Sequence, residues 1–144
     1  MMTPTSEMNL AVVVEKRPPL NSWGEVAWRP VAVLPHAGGA ERWREVESVG
    51  GRARYRAGPV TLALRRTAVS QYRENLIATR PAVFVVLAPA PGEVPWRVAR
   101  VTVDPFDAEQ HMAGGANLVE ALPMPAEIYR WLGAFTDAHY VEQP

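Results

Sequence analysis

Cysteine is absent from all 144 residues. That excludes disulfides, thiolate zinc sites, iron–sulfur ligation and a cysteine nucleophile. Lysine is nearly absent too: Lys16 is the only one among 15 basic residues. An arginine bias of this kind fits GC-rich coding better than an arginine-specific chemistry. The three histidines, His36, His111 and His139, lie far apart and suggest no metal site. No stretch approaches the roughly 18–20 apolar residues of a membrane helix. The run Leu10–Val14 is short and has no basic leader, so no secretion signal is expected. The reading is a soluble, cytoplasmic protein without membrane association. Net charge is zero and the pI is about 6.8, unlike the basic balance of a nucleic-acid binder. No nucleic-acid partner is expected.

What is present is unevenly spread. Residues 49–80 carry seven arginines against Glu74, a net +6, while residues 101–144 carry Arg130 against seven acidic residues, a net −6. Opposed blocks point either to internal complementarity or to two working faces. With 48% apolar residues, a chain of this length supports one domain with a real core. We assign residues 10–142 to that domain and residues 1–9 to a flexible N-terminus.

The order of elements predicts an α+β fold. Leu10–Glu15 and Ala27–Leu34 read as strands; because Pro30 falls within the second, it is either an edge strand or begins just after the proline. Trp43–Val49 follows the loop PHAGGA, and Gly50-Gly51 signals a hairpin. Arg52, Arg54 and Arg56 alternate with Ala53, Tyr55 and Ala57, which puts the arginines on one face. Gly58-Pro59 is expected to turn the chain before Val60–Arg65. Residues 68–78 fit a short helix that ends at Arg80-Pro81. Ala82–Leu87 is almost wholly apolar, as in a central strand covered on both faces. Trp96–Val103 is a further strand. Asp104-Pro105 opens a short helix as N-cap and first helical residue, closed by Gly114-Gly115. Asn117–Leu122 is the last strand. Pro125 starts an amphipathic helix with Ile128, Trp131, Leu132 and Phe135 on one stripe. We expect about seven short strands in a mostly antiparallel sheet or partly open barrel, with a mid-chain helix and a sealing C-terminal helix.

Chemistry-bearing patterns are few. GEVAWRPVAV and GEVPWRVARV share Gly, Glu, Val, Trp and Arg, 68 residues apart. Trp28-Arg29 and Trp96-Arg97 therefore start two strands alike. They read as matched scaffold, or as aromatic-plus-guanidinium elements for a flat or anionic ligand. The AGGA stretches match neither a P-loop nor a dinucleotide fingerprint. Asp107 and His111 share a helix face, but Asp104 and Asp107 are better read as stabilising a helix start. No serine sits in a nucleophile elbow and no triad can be assembled. Arg52, Arg54, Arg56 and Arg65 remain the strongest feature: a guanidinium face suited to an acidic partner.

AVVVEKRPPLNSWGEVAWRPVAVLP, YRAGPVTLALRRTAVSQYRENL, RPAVFVVL, PWRVARVTVDPFDAE and PMPAEIYRWLGAFTDAHYVE, in that order, resemble an uncharacterised proteobacterial family. It is a domain of unknown function often encoded near molybdenum-dependent formate dehydrogenase genes. The likeness covers about residues 10–142, and Tyr72, Asn75 and Leu76 match its Tyr-x-x-Asn-Leu piece. The family pattern's basic tail is missing here. The resemblance implies a non-enzymatic accessory role in assembly, maturation or regulation of such an enzyme. It implies a protein partner and no cofactor. The surface would comprise Arg52, Arg54, Arg56, Arg65, Tyr72 and Asn75, with Trp28, Arg29, Trp96 and Arg97. The alternative is a small protein or enzyme that handles a pterin or nucleotide cofactor.

Overall fold

A computed structural model describes residues 5–39 and 42–140. Among the described residues the chain forms seven strands and three helices. They are β1 (Thr5–Arg17), β2 (Ala27–Pro35), β3 (Arg44–Val49), β4 (Arg52–Arg65), α1 (Val69–Ile77), β5 (Ala82–Pro89), β6 (Trp96–Thr102), α2 (Pro105–Met112), β7 (Leu118–Pro123) and α3 (Ala126–His139). A single 3₁₀ turn, Arg66–Ala68, leads into α1. The strands make two antiparallel sheets, ordered β2-β1-β4-β3 and β6-β5-β7. They do not join into a closed barrel. The fold is α+β, as the order of elements predicts.

Two strands differ from expectation. β1 starts at Thr5, so residues 5–9 are paired rather than flexible; residues 1–4 lie outside the described residues. The polar Ser6, Glu7 and Asn9 hid the strand, because its alternate residues Met8 and Leu10 supply the buried face. β4 does not turn at Gly58-Pro59. It runs straight through as one strand of 14 residues, with a bulge opposite Ala11. A Cβ on Gly58 would lie 2.9 Å from both the Ala11 Cα and the Leu10 carbonyl oxygen. Glycine permits that close approach, and a bulge is where a strand tolerates a proline. At Gly50-Gly51 the hairpin forms as expected, with both φ angles positive.

Register explains the core. Met8, Leu10, Val12 and Val14 of β1 share a face with Leu62, Tyr55 and Ala53 of β4. That face meets Val83, Val85 and Leu87 of β5 and Val101 of β6 in one apolar cluster. Ile128, Leu132 and Phe135 of α3 and Val69 and Tyr72 of α1 complete it. Fully burying such aliphatic side chains contributes about 1.5–3 kcal/mol each. Trp131 of α3 donates its indole N–H to Ser6 Oγ at 2.9 Å, which sets the helix on the N-terminal end of β1. α2 lies against the other face of the smaller sheet; its Asp107 pairs with Arg100 of β6. Asp104 caps α2 as predicted, accepting from the backbone of Phe106 and Asp107. No helix among the described residues is long and apolar enough to cross a membrane.

Gly58→Ala is expected to destabilise the domain by about 1–3 kcal/mol, the usual range for forcing atoms into a filled site. Chemical denaturation of the variant beside the native protein measures it. An unchanged midpoint would mean the bulge relaxes freely.

Candidate functional site

The arginine face is real, and half of it has internal work. Arg52, Arg54, Arg56 and Arg65 all lie on the side of β4 away from the core. Beneath them is Glu15 of β1, only 2% exposed. Arg54 Nε reaches its Oε2 at 3.0 Å, and Arg17 Nε reaches its Oε1 at 2.5 Å. The Arg17 hydrogen bond holds the Glu15 carboxyl below its ordinary value of 4.5 against the opposing effect of burial, and Arg54 lowers it further. A buried carboxylate without such partners would be costly. Arg56 is engaged as well. β2 and β3 occupy opposite edges of the four-stranded sheet, so their connection must cross β1 and β4. Arg56 Nη2 donates to the Gly38 carbonyl at 3.1 Å, and Ala37 N donates to Asn9 O. Gly38 and Gly39 of that connection therefore lie over the arginine face. Gly39, at φ 111°, has the Arg56 guanidinium 3.0 Å from where a Cβ would stand. The first AGGA stretch is thus a strap fitted under a pinning arginine; its Ala40 lies outside the described residues. Arg52 and Arg65 are exposed and make no ion pair among the described residues.

The two Trp-Arg pairs sit in different sheets, not side by side in one. Trp28 is on β2 and Trp96 on β6. Both rings are half-buried against the shared core. Trp28 stacks at a tilt on Tyr55, with centroids 5.7 Å apart, and Lys16 Nζ lies 5.8 Å from its ring centre. Arg29 pairs with Glu120 of β7 at 3.3 Å, linking the two sheets. The Trp96 carbonyl accepts the indole N–H of Trp43 at 2.7 Å, another link between them.

The Trp43–Trp96 link borders an open cleft of about 710 Å³ between β4 and the β5–β6 connection. Trp43, Tyr55 and Trp96 line it, with Glu45, Glu93, Arg42 and Arg97 as its charged groups. Tyr55 donates its hydroxyl to Glu93 at 3.2 Å. Burial, reinforced by that carboxylate, raises the Tyr55 pKa above its ordinary 10.0. The phenol therefore stays neutral and serves as a donor. Aromatic faces with charges of both signs can hold a planar or amphipathic group.

A family model described as "Protein of unknown function (DUF3305)" matches residues 9–144. The chain belongs to this DUF3305 family. No curated protein and no solved structure matches it. The DUF3305 match takes in both sheets and all three helices.

Within this DUF3305 domain, the Tyr72 and Asn75 side chains are buried and are not part of an exposed surface. Asn75 is 3% exposed. Its amide donates to the carbonyls of Ala82 and Val103, both at 2.8 Å, and accepts from Ala82 N at 2.9 Å. One side chain thereby ties α1 to the start of β5 and the end of β6. Tyr72 accepts from Arg65 N at 3.0 Å and meets Phe135 edge-on. Burial raises its pKa, with the Arg65 bond opposing. The residues missed in the sequence are Glu15, Tyr55, Trp43 and Glu93. A carboxylate in register with an apolar row, at Glu15 two residues after Val13, was the available signal. Nothing local marks Glu93 as a partner of Tyr55. His111 meets Asp107, and no cluster of three metal-ligating side chains occurs among the described residues.

Two outcomes follow. Glu15 has a lowered pKa, so its contribution is present above about pH 4.5 and is lost as the pH falls through the folded value. The native protein should unfold at a higher temperature than Glu15→Gln near neutrality, and the gap should close as the pH falls below 4.5 and through the lowered folded value. A gap that is constant with pH would contradict the ion-pair account. Asn75→Leu removes the partner of three backbone groups, one fully and two partly buried, and should cost about 2–5 kcal/mol by equilibrium denaturation.

Proposed function

We propose that this DUF3305 protein is a non-enzymatic binding module, an accessory factor in assembly, maturation or regulation of a molybdenum-dependent formate dehydrogenase. The observation that supports the binding reading is the arginine face of β4, where the exposed Arg52 and Arg65 make no ion pair among the described residues. Glu15 and Tyr72 are spent on internal bonds. The enzyme partner rests on the family resemblance and its usual gene neighbourhood.

On the arginine face of β4 the exposed cations available to an acidic partner are Arg52 and Arg65, because Arg54 and Arg56 hold the sheet and the strap. Tagged protein expressed in its native cell should co-elute with the formate dehydrogenase. Arg52→Glu with Arg65→Glu should lose that co-elution and lower formate dehydrogenase activity in cells, while the melting temperature of the purified variant stays unchanged. Absence of co-elution together with unaltered activity on deleting the gene would end this reading.

The cleft favours one second reading, a planar cofactor of the pterin or nucleotide class held among Trp43, Tyr55 and Trp96. Titration with GTP or molybdopterin, read by tryptophan fluorescence, should then saturate, and Trp43→Ala should abolish the response. No change at millimolar ligand removes it.

A further inference from the structure

A second open surface lies on the far side of the smaller sheet. Ala82 of β5 and Ala121 of β7 point away from the inter-sheet core, since their neighbours Val83 and Leu122 point into it. α2 covers part of this outer face, where Val86 is fully buried. Toward Ala82 and Ala121 the face opens into a trough of about 810 Å³ against the first turns of α3. Met124 and Tyr129 line it, and Tyr129 is 45% exposed. The Met124 N–H is already used by the Pro81 carbonyl at 3.0 Å, so the wall is held in place. The alanines are small enough for a partner's side chains to enter.

Its charged lining has one sign. Arg80, before β5, and Arg130, on α3, both line the trough and both are exposed. Neither makes an ion pair among the described residues. Glu127, one turn before Arg130, pairs with His36 instead. Apolar surface bordered by two free guanidiniums is complementary to an apolar segment that carries carboxylates. Exposed apolar patches with a polar rim mark interaction sites.

From this we infer that the trough between β7 and α3 docks an acidic, leucine-type segment of a protein partner, with Arg80 and Arg130 gripping its flanking carboxylates. This deepens the binding-module reading and rests on it, but it places the apolar anchor on the face opposite the inter-sheet core. The probe is the peptide acetyl-Glu-Glu-Leu-Ala-Leu-Leu-Ala-Glu-Glu-amide, with a second version that has lysine for every glutamate. In methyl-labelled protein, the acidic probe should shift the Met124, Ala82 and Ala121 resonances saturably. Arg80→Glu with Arg130→Glu should weaken it at least about tenfold and should favour the lysine probe, a charge swap. Both guanidiniums are exposed, so this variant should fold, and its unperturbed core methyls report that it does.

Equal affinity for the two probes, no shift at millimolar probe, or shifts confined to the Trp43–Trp96 cleft would each overturn the inference. The formate dehydrogenase co-elution is read separately in cells. A trough that binds the probe without that co-elution would sink the named enzyme partner and leave the docking surface standing. Co-elution without probe binding would do the reverse.

Discussion

Among the described residues no ladder of backbone hydrogen bonds joins the two sheets, so burial of two apolar faces has to hold them together. Everything else follows from that constraint. The inner row of β1, from Met8 to Val14, faces the inner row of β5, and α3 closes the end where Ser6 meets Trp131. Hydrophobic attachment is strong but not directional. Orientation comes from a few polar links across the seam: Trp43 to the Trp96 carbonyl, Tyr55 to Glu93, and Arg29 to Glu120. Each joins the larger sheet, or the strand edge beside it, to the smaller one. Because such links leave gaps between them, the seam opens as a cleft, unlike a continuously bonded barrel wall.

The arginine block has a similar double character. One guanidinium neutralises a buried carboxylate, and another pins the strap that carries the chain from one sheet edge to the other. Arginine suits both tasks, because its fork of donors reaches two acceptors while its stem covers apolar strand surface. Of the four arginines on the outer face of β4, Arg52 and Arg65 at its two ends make no ion pair among the described residues. A charge excess in sequence is therefore a poor count of what a partner would meet.

Much of the architecture was legible from residues alone. Alternation in 52–57 sorted the arginines from Tyr55 correctly, and Asp104-Pro105 marked the helix start where it occurs. Gly58-Pro59 misled because local turn chemistry was outweighed by pairing to β1. Its meaning lay in the closeness of Ala11, some 47 positions earlier in the chain. The candidate cleft was the least legible part. Trp28 and Trp96 share a repeated motif, yet only Trp96 lines the cleft, while Trp28 packs on Tyr55 outside its lining.

The sequence by itself determined which residues could be buried, where strands alternate, how α2 begins, and that thiolate chemistry is excluded. These are properties of short windows and of composition, where each side chain's period or absence is enough. The tertiary structure alone decided which arginines are spent, which tyrosine sits beside which carboxylate, and where apolar surface stays uncovered. Those depend on contacts between residues that are distant in the chain, such as Glu15 with Arg54 and Arg29 with Glu120. A local pattern carries no information about its distant partner until the sheets have closed on their common core.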